Sequence, residues 1–386
     1  MPAVAIDYRD VPIVINNFNR QRDLIALVEW LRRAGQRDIV ILDNGSTLPG
    51  LDDTYRHFAG LGVRVMRLGQ NGGARALWTL GPLGFDTSFV YTDSDSVPDE
   101  DCPLDLVGHL LATLDANPHF AKIGVGLRID DLPEHYAKKP QVETWEAQFW
   151  RHPVGPGLFL APVDTTFAIY RALGEFALEP ALRTGRPHRA RHLGWYVDSG
   201  NLTGEDAFYL AAADPAHTNW SGGELPDLLA GAIEHERRTR PLLLNLNCGD
   251  DPLPGWVNVD DRPGPGVDVV FALDGDGSQQ LKLPDDAVDG IFLKRGAPPS
   301  APAMRELYRI AKPGAKFILR QPLAGSGQVA PTDFGDWDIA RRDLVGGAAP
   351  EMIVELRAVK PPRARPVVAP PAGSLLTPVD LRSTFP

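Results

Sequence analysis

Two carboxylates stand one residue apart in Asp93-Ser94-Asp95, directly after the apolar run SFVYT at residues 88–92. At a strand end such a pair can approach one divalent cation and, through it, a diphosphate. The chemistry served would be departure of a nucleoside diphosphate, where Mg2+ or Mn2+ stabilises the developing negative charge without proton transfer. Asp-x-Asp also occurs in solvated turns, so the neighbouring elements decide what the triplet means.

Those elements form a series. Residues 11–20, VPIVINNFNR, are a β-branched apolar run ending in polar residues, and residues 21–34 have helical spacing at Leu24, Leu27, Val28 and Leu31. Apolar runs at 38–42 and 63–68 end in Asp43-Asn44-Gly45-Ser46 and in Gly69-Gln70-Asn71-Gly72-Gly73. This βαβαβ order predicts a parallel sheet, and ligands of such sheets bind outside the carboxyl ends of the strands. Four successive strand ends therefore supply the candidates: 16–20, 43–46, 71–75 and 93–95. Each has an ordinary alternative, a backbone turn for Asp43-Asn44-Gly45 or a surface charge for Arg75.

Residues 120–128 and 165–170 read as further strands, and 183–206 is dense in His, Arg, Trp and Asp without clear periodicity. A helix fits 228–238, and α/β alternation resumes with strands at 242–246, 256–260, 268–271, 288–293 and 316–319 and a helix at 304–311. The expected organisation is a domain over 1–222, a linker helix over 223–240, a second α/β domain over 241–360 and a Pro-rich tail over 361–386.

A chain of 386 residues suits two such cores. Its 43% hydrophobic and 23% charged residues are those of a globular protein. The net charge of −11 repels phosphodiester backbones and argues against a nucleic-acid partner, while a nucleotide diphosphate remains accessible through a cation. Cys102 and Cys248 have neither zinc nor disulfide spacing, which fits a reducing cytoplasmic setting. No run is long and apolar enough to span a bilayer, and the start MPAVAIDYRD lacks the regions of a signal peptide.

Taken together, residues 11–20, ILDNGS, NGGARA and YTDSD resemble the inverting family of GT-A-fold glycosyltransferases that includes many polysaccharide synthases, over about residues 11–210. The resemblance implies a mixed, mostly parallel GT-A sheet and a nucleotide-sugar donor, with UDP the family's commonest choice. Asn17 and Asp43 would hold base and ribose, Arg75 and Asp93 the diphosphate, and Asp93 and Asp95 the metal. His192, in RHLGWY, would be a further metal ligand, since such enzymes often add a histidine from the end of the domain; a buried, hydrogen-bonded histidine is the alternative.

Inverting transfer needs a base, and the family carries an acidic pair after a later strand. TGEDAFYL supplies it as Glu205-Asp206, with Asp206 the first choice and Glu205 the second. Thr203-x-x-Asp206 is equally a helix capping box, and Asp164 and Asp198 compete for the role. Trp195 and Tyr196 suit a stacking floor for an acceptor, whereas Trp145 and Trp150 suit core packing.

LLLNLNCGDDPLPGWVNVDD, DVVFALD, LKLPDDAVDGIFL and RELYRIAKPGAKFIL resemble class I methyltransferases that use S-adenosylmethionine, over about 241–320. That implies a Rossmann-like domain with Gly249 against the methionyl part, Asp260 on the ribose and Asp274 near the adenine. The motif departs from the family at Asn247, where the first glycine would stand, and at Lys294-Arg295-Gly296-Ala297-Pro298-Pro299, where two prolines oppose a helix. The function expected is glycosyl transfer to a glycan hydroxyl in polysaccharide biosynthesis, beside a degenerate methyltransferase-like domain. The alternative is a sugar O-methyltransferase whose first domain only binds sugar.

Overall fold

The computed structural model describes residues 7–80, 87–155, 157–171, 176–213, 220–222, 224–294, 296–322, 334–345 and 351–360; the 361–386 tail and Arg295 lie outside the described residues. Among the described residues no helix is long and apolar enough to cross a membrane.

The opening run forms β1 (Ile13–Asn17), α1 (Arg22–Arg33), β2 (Ile39–Asp43), α2 (Leu51–Gly60), β3 (Arg64–Arg67), the short α3 (Ala76–Thr79) and β4 (Phe89–Asp93). The four strands are parallel with β1 between β2 and β4. Every residue of β1 and β2 is buried, because alternate side chains enter two covered faces. Ile13, Ile15, Ile39 and Ile41 pack on the Leu24, Leu27 and Leu31 stripe of α1. Val14, Val40 and Leu42 join Ala76 and Leu77 on the other side. Arg32 and Arg33 end α1, where its dipole favours cations.

The first half continues with β5 (Ser96–Pro98), α4 (Leu106–Ala116), β6 (Lys122–Leu127), α5 (Lys139–Ala147), β7 (Pro153–Gly155) and β8 (Leu158–Leu160). β9 (Ala168–Tyr170), β10 (Ala181–His192) and α6 (Gly204–Ala212) complete it. The sheet order is β3-β2-β1-β4-β9-β6-β10-β8-β7, with β5 on β10. Antiparallel β9 lies between β4 and β6 and makes the sheet mixed.

β10 is the largest departure from the sequence reading, which expects irregular structure there. Its arginines are neutralised from other elements: Arg183 by Glu146 at 2.9 Å, Arg189 by Asp130 at 3.0 Å and Arg191 by Asp131 at 2.7 Å. Thr184 aligns with Val125 and Arg189 with Gly126, so residues 185–188 bulge out of the ladder. Gly126 is required beneath the bulge, because a Cβ would lie 2.3 Å from the Thr184 carbonyl oxygen.

α7 (Asp227–Thr239) leads to the second sheet, built from β11 (Leu243–Leu246), β12 (Val257–Asp260), β13 (Val269–Val270) and β14 (Val288–Leu293). α8 (Ala301–Ile310), β15 (Ala311–Pro322), β16 (Trp337–Val345) and β17 (Glu351–Ala358) follow. The order β13-β12-β11-β14-β15 is parallel and is the 3-2-1-4-5 order of doubly wound folds; β17 is antiparallel to both β15 and β16. β16 and β17 have no counterpart in the sequence reading.

One face of this sheet packs Leu244, Leu246, Ile291 and Leu293 on Met304, Leu307 and Ile310 of α8. On the other face Leu243, Phe292 and Trp256 meet Trp150 and Phe159 of the first half. Trp256 Nε1 donates to the Trp150 carbonyl oxygen at 2.9 Å. The reason is the β11–β12 connection: the ten residues from Asn247 to Trp256 contain no helix, and a crossover usually needs a dozen or more. The first half covers the face that such a helix would cover.

Candidate active site at the strand ends of the first sheet

In an open α/β sheet the binding crevice opens where the strand order reverses, here between β1 and β4. Asn16 and Asp93 face each other across it, the Asn16 Nδ2 donating to Asp93 Oδ1 at 3.3 Å. Thr165 Oγ1, from the loop before β9, donates to Asp93 Oδ2 at 2.6 Å. Burial, then the charge of Asp95 and that of Asp164, push the Asp93 carboxyl well above the usual carboxylate range.

Asp95 follows on the turn into β5, and its backbone carbonyl accepts from Leu193 N at 2.7 Å at the end of β10. This docking brings His192 Nδ1 to 3.7 Å from Asp95 Oδ2. The imidazole stacks on Trp195 with centroids 4.7 Å apart, and its Nδ1 is buried without a hydrogen-bond partner. Asp93, Asp95 and His192 thus gather at one crevice. Among the described residues, however, no three His, Cys, Asp or Glu side chains converge into a closed metal cage.

Asn17 and Asp43 meet through Tyr55: Asn17 Nδ2 donates to Tyr55 Oη at 2.9 Å, and Tyr55 donates to Asp43 Oδ1 at 2.9 Å. Burial raises the Tyr55 phenol, so it remains a donor to the Asp43 carboxylate. Asn44 Nδ2 holds the Gly73 carbonyl at 2.9 Å, which ties the third strand-end loop to the second. Arg75 is exposed and lies over the Phe176 ring at 4.4 Å, away from any carboxylate contact.

Glu205 and Asp206 occupy different surroundings from those the sequence reading expects of a base. Asp206 is 2% exposed; its Oδ1 accepts from Arg20 at 3.0 Å and Arg22 at 3.4 Å, and its Oδ2 accepts from Thr203 Oγ1 at 2.5 Å. Thr203 Oγ1 in turn accepts from Asp206 N at 3.1 Å, the capping geometry. Glu205 accepts from the backbone N–H of Gln21 at 3.0 Å and of Arg22 at 3.2 Å, so it caps α1 from another helix. Both oxygens of the buried Asp206 are thus engaged by donors of the protein itself.

Arg20 organises this wall; the sequence reading placed it in the candidate strand end 16–20 without giving it a role. It is 3% exposed, ion-paired to Asp206 and 3.8 Å from Asp23, with its Nη2 donating to Ser221 Oγ at 2.7 Å. Burial works against its charge, and Asp95 and Asp23 outweigh it, leaving the guanidinium held more firmly than usual. Tyr209 of α6 lies under it at 3.7 Å. Beyond Ser221 opens a cleft of about 800 Å3 between α5, α6 and α7, lined by Leu202, Leu210, Leu225 and Ile233 with Lys138 and Gln141.

The competing carboxylates separate cleanly. Asp198 is exposed and closes its own turn by accepting from Gly200 N at 3.0 Å. Asp164 is exposed beside Thr165, one residue from the contact to Asp93, and has no ion-pair partner among the described residues. Trp195 is 2% exposed and belongs to the core, so it offers no stacking floor, and Tyr196 is tied to Asp131 at 2.5 Å. Trp145 packs edge-on against Phe149, and Trp150 lies between the two halves.

No family model matches the chain, and no curated protein matches it. Solved structures similar to parts of it are of two kinds. S. aureus TarS in complex with UDP-GlcNAc is 12% identical, with 60% of this chain and 67% of that one covered and a TM-score of 0.31. Glucosyl-3-phosphoglycerate synthase from Mycobacterium tuberculosis, with Mn2+ and UDP-glucose, is 18% identical over 42% of this chain and 57% of that one, with a TM-score of 0.27. A 16S rRNA (adenine(1408)-N(1))-methyltransferase from Catenulisporales acidiphilia is 15% identical over 36% of this chain and 94% of that one, with a TM-score of 0.25. The neighbours of this chain thus include both glycosyltransferases and S-adenosylmethionine-dependent methyltransferases.

In the second sheet the corresponding reversal lies between β11 and β14. Gly249 N donates to Asp260 Oδ2 at 2.8 Å, and Lys294, just after β14, is ion-paired to Asp251 in the turn after β11. Asn247 stands at φ 50° with its side chain against Gly296, where a Cβ would lie 2.8 Å from Asn247 Nδ2. Asp274 is exposed. Gly249, Asp260 and the loop after β14 are therefore brought together, but their polar groups are turned on one another.

Proposed function

We propose that the first half is a metal-dependent inverting glycosyltransferase that moves a sugar from a nucleotide diphosphate, with UDP the first candidate, to a glycan hydroxyl in polysaccharide assembly. The observation that carries this reading is the unfinished polar chemistry at the β1/β4 reversal. Asn16 Oδ1, Asn17 Oδ1, Asn19 Nδ2, Ser96 Oγ, Thr166 Oγ1 and His192 Nδ1 are all buried there without partners. Buried polar atoms cost about 1–3 kcal/mol each when unpaired, so a concentration of them at a binding crevice points to a polar ligand.

The donor set fits Mg2+ or Mn2+. Asp95 with His192 supplies a carboxylate and an imidazole, and Asp93 supplies a second carboxyl whose ionisation a cation would restore. A closed cage is not needed, since such ions keep waters and bind substrate phosphates through one or two protein carboxylates. The bound ion would stabilise charge on the departing diphosphate. Asn17 and Asp43, fixed by Tyr55, frame the nucleoside end, and Arg75 is within the same row of strand-end loops for the phosphates.

The surroundings of the acids favour Asp164 over Asp206 and Glu205 as the base. Asp206 and Glu205 act as positioning residues that hold Arg20 and α1, and Asp164, exposed at the rim beside Thr165, removes the acceptor proton. The cleft beyond Ser221 receives the acceptor. A thermal-shift panel of nucleoside diphosphates and nucleotide sugars with and without Mn2+ tests the reading. Metal-dependent stabilisation by one nucleotide, lost in Asp95→Ala, supports it, and no response to any nucleotide ends it. Asp164→Asn should then lower kcat with donor affinity retained; if only Asp206→Asn does so, the base is Asp206.

A further inference from the structure

The second half carries the strand order and the acid of a cofactor-binding fold, yet its crevice is closed from within. A nucleoside cofactor at a β11/β14 reversal needs free backbone N–H groups in the first turn, a free carboxylate after the second strand and open space between the two strand ends. Each of the three is encumbered. The Gly249 N–H donates to Asp260 Oδ2, the Lys294–Asp251 ion pair bridges the strand ends, and the Asn247 side chain lies against Gly296. Asn258 and Asn245 behind them are cross-linked at 2.9 Å, and Leu253 N donates to Asn258 at 2.7 Å, which fixes the connection in place.

The same connection faces the first half at three points. Arg186, at the crest of the β10 bulge, donates to the Asp250 carbonyl oxygen while its Nη2 holds Asp101 at 2.9 Å. Trp256 donates to the Trp150 carbonyl. Gly255 at φ 80° lies so close to α5 and the end of α7 that a Cβ would be 2.7 Å from Ala147 Cβ and 2.6 Å from Arg240. β10 is the strand whose far end presents His192 to Asp95.

We infer that the second half does not take up S-adenosylmethionine, and that its 247–256 connection instead braces the β10 bulge and thereby sets the position of His192. A crevice that satisfies its own polar groups is rigid, and rigidity is what a brace needs. Arg186 is on this account a positioning residue: it touches no substrate and acts through β10. The part played by His192 rests on the glycosyltransferase reading; the brace itself does not.

The full chain tests both parts. Calorimetric titration with S-adenosylmethionine and with S-adenosylhomocysteine should give no saturable heat and no thermal shift; saturable binding of either overturns the first part. Hydrogen exchange of the β10 amides should be faster by about fivefold or more in Arg186→Gln, as expected for a lost coupling of the usual size, with α1 amides unchanged. Unchanged β10 exchange overturns the brace. In the same variant the KM for the donor should rise while kcat stays near the parent value. Failure of the wild-type chain to bind any metal–nucleotide pair would remove the glycosyltransferase reading and leave the exchange result standing.

Discussion

The two sheets of this chain meet the same architectural condition, a reversal of strand order flanked by polar loops, and resolve it in opposite ways. At the first, an asparagine-rich strand end and an imidazole leave several buried polar atoms unpartnered beside a carboxyl held above its usual range. At the second, the Gly249 and Leu253 N–H groups and the Lys294 ammonium each meet an acceptor of the same half, and Asn245 Oδ1 is the buried atom left without one. Fold alone therefore does not say whether such a crevice takes a ligand. What distinguishes them is whether the buried polar groups are satisfied by the protein itself.

The sharpest way to break this contrast is to remove the cation on each side. Arg20→Ala leaves the buried Asp23 and Asp206 with the half-exposed Arg22 as their remaining counter-charge, and should cost about 3 kcal/mol in urea unfolding. Its counterpart, Lys294→Ala, removes a partly exposed pair and should cost roughly 1 kcal/mol or less. Equal losses would show that the second crevice is held as tightly by charge as the first. Trp150→Ala should come close to the Arg20 effect, at about 3–5 kcal/mol, and should destabilise both halves together in calorimetry. Two separated transitions in the parent protein would contradict a shared core.

Asp93→Asn sharpens the comparison from the other direction. Because the folded carboxyl is held above its unfolded value of 3.8, the native state binds the proton more tightly, and its stability falls as pH rises through that window. The amide should therefore be close to neutral in acid and stabilising near pH 7, read as a rise in melting temperature over the parent that grows with pH. Nucleotide binding should be lost at the same time. The smallest effect is expected at Asp260→Asn, which keeps an acceptor for Gly249 N and should shift the melting temperature by about 1 °C or less.

Much of this was legible in the sequence, and the limits have physical causes. The first four strand ends could be read because β-branched runs stop abruptly at polar loops, and α1 because its leucines recur at helical spacing. β10 could not, because RTGRPHRARH is neutralised by Glu146, Asp130 and Asp131, whose proximity is set by other strands. The role of Arg20, a residue of the candidate strand end 16–20, was not legible for the same reason: a lone arginine gives no sign that two buried aspartates await it. Asp206 was read from its place in a motif, whereas the carboxylate's neighbours, Arg20 and Arg22, come from the far end of the chain. The short spacing between LLNL and VNVD did carry information about the second half, since the ten residues 247–256 leave little room for a crossover helix.

The Trp150, Phe159, Trp256 and Phe292 cluster also sets a timetable for synthesis. Trp150 leaves the ribosome 142 residues before Phe292, an interval of about 7–28 s at ordinary elongation rates. Through that interval the indole and the Phe159 ring await their partners from the second half, on a stretch that holds the short edge strand β7 and its neighbour β8. Slowing translation between the two halves should lengthen that exposure and raise the fraction of chains that aggregate.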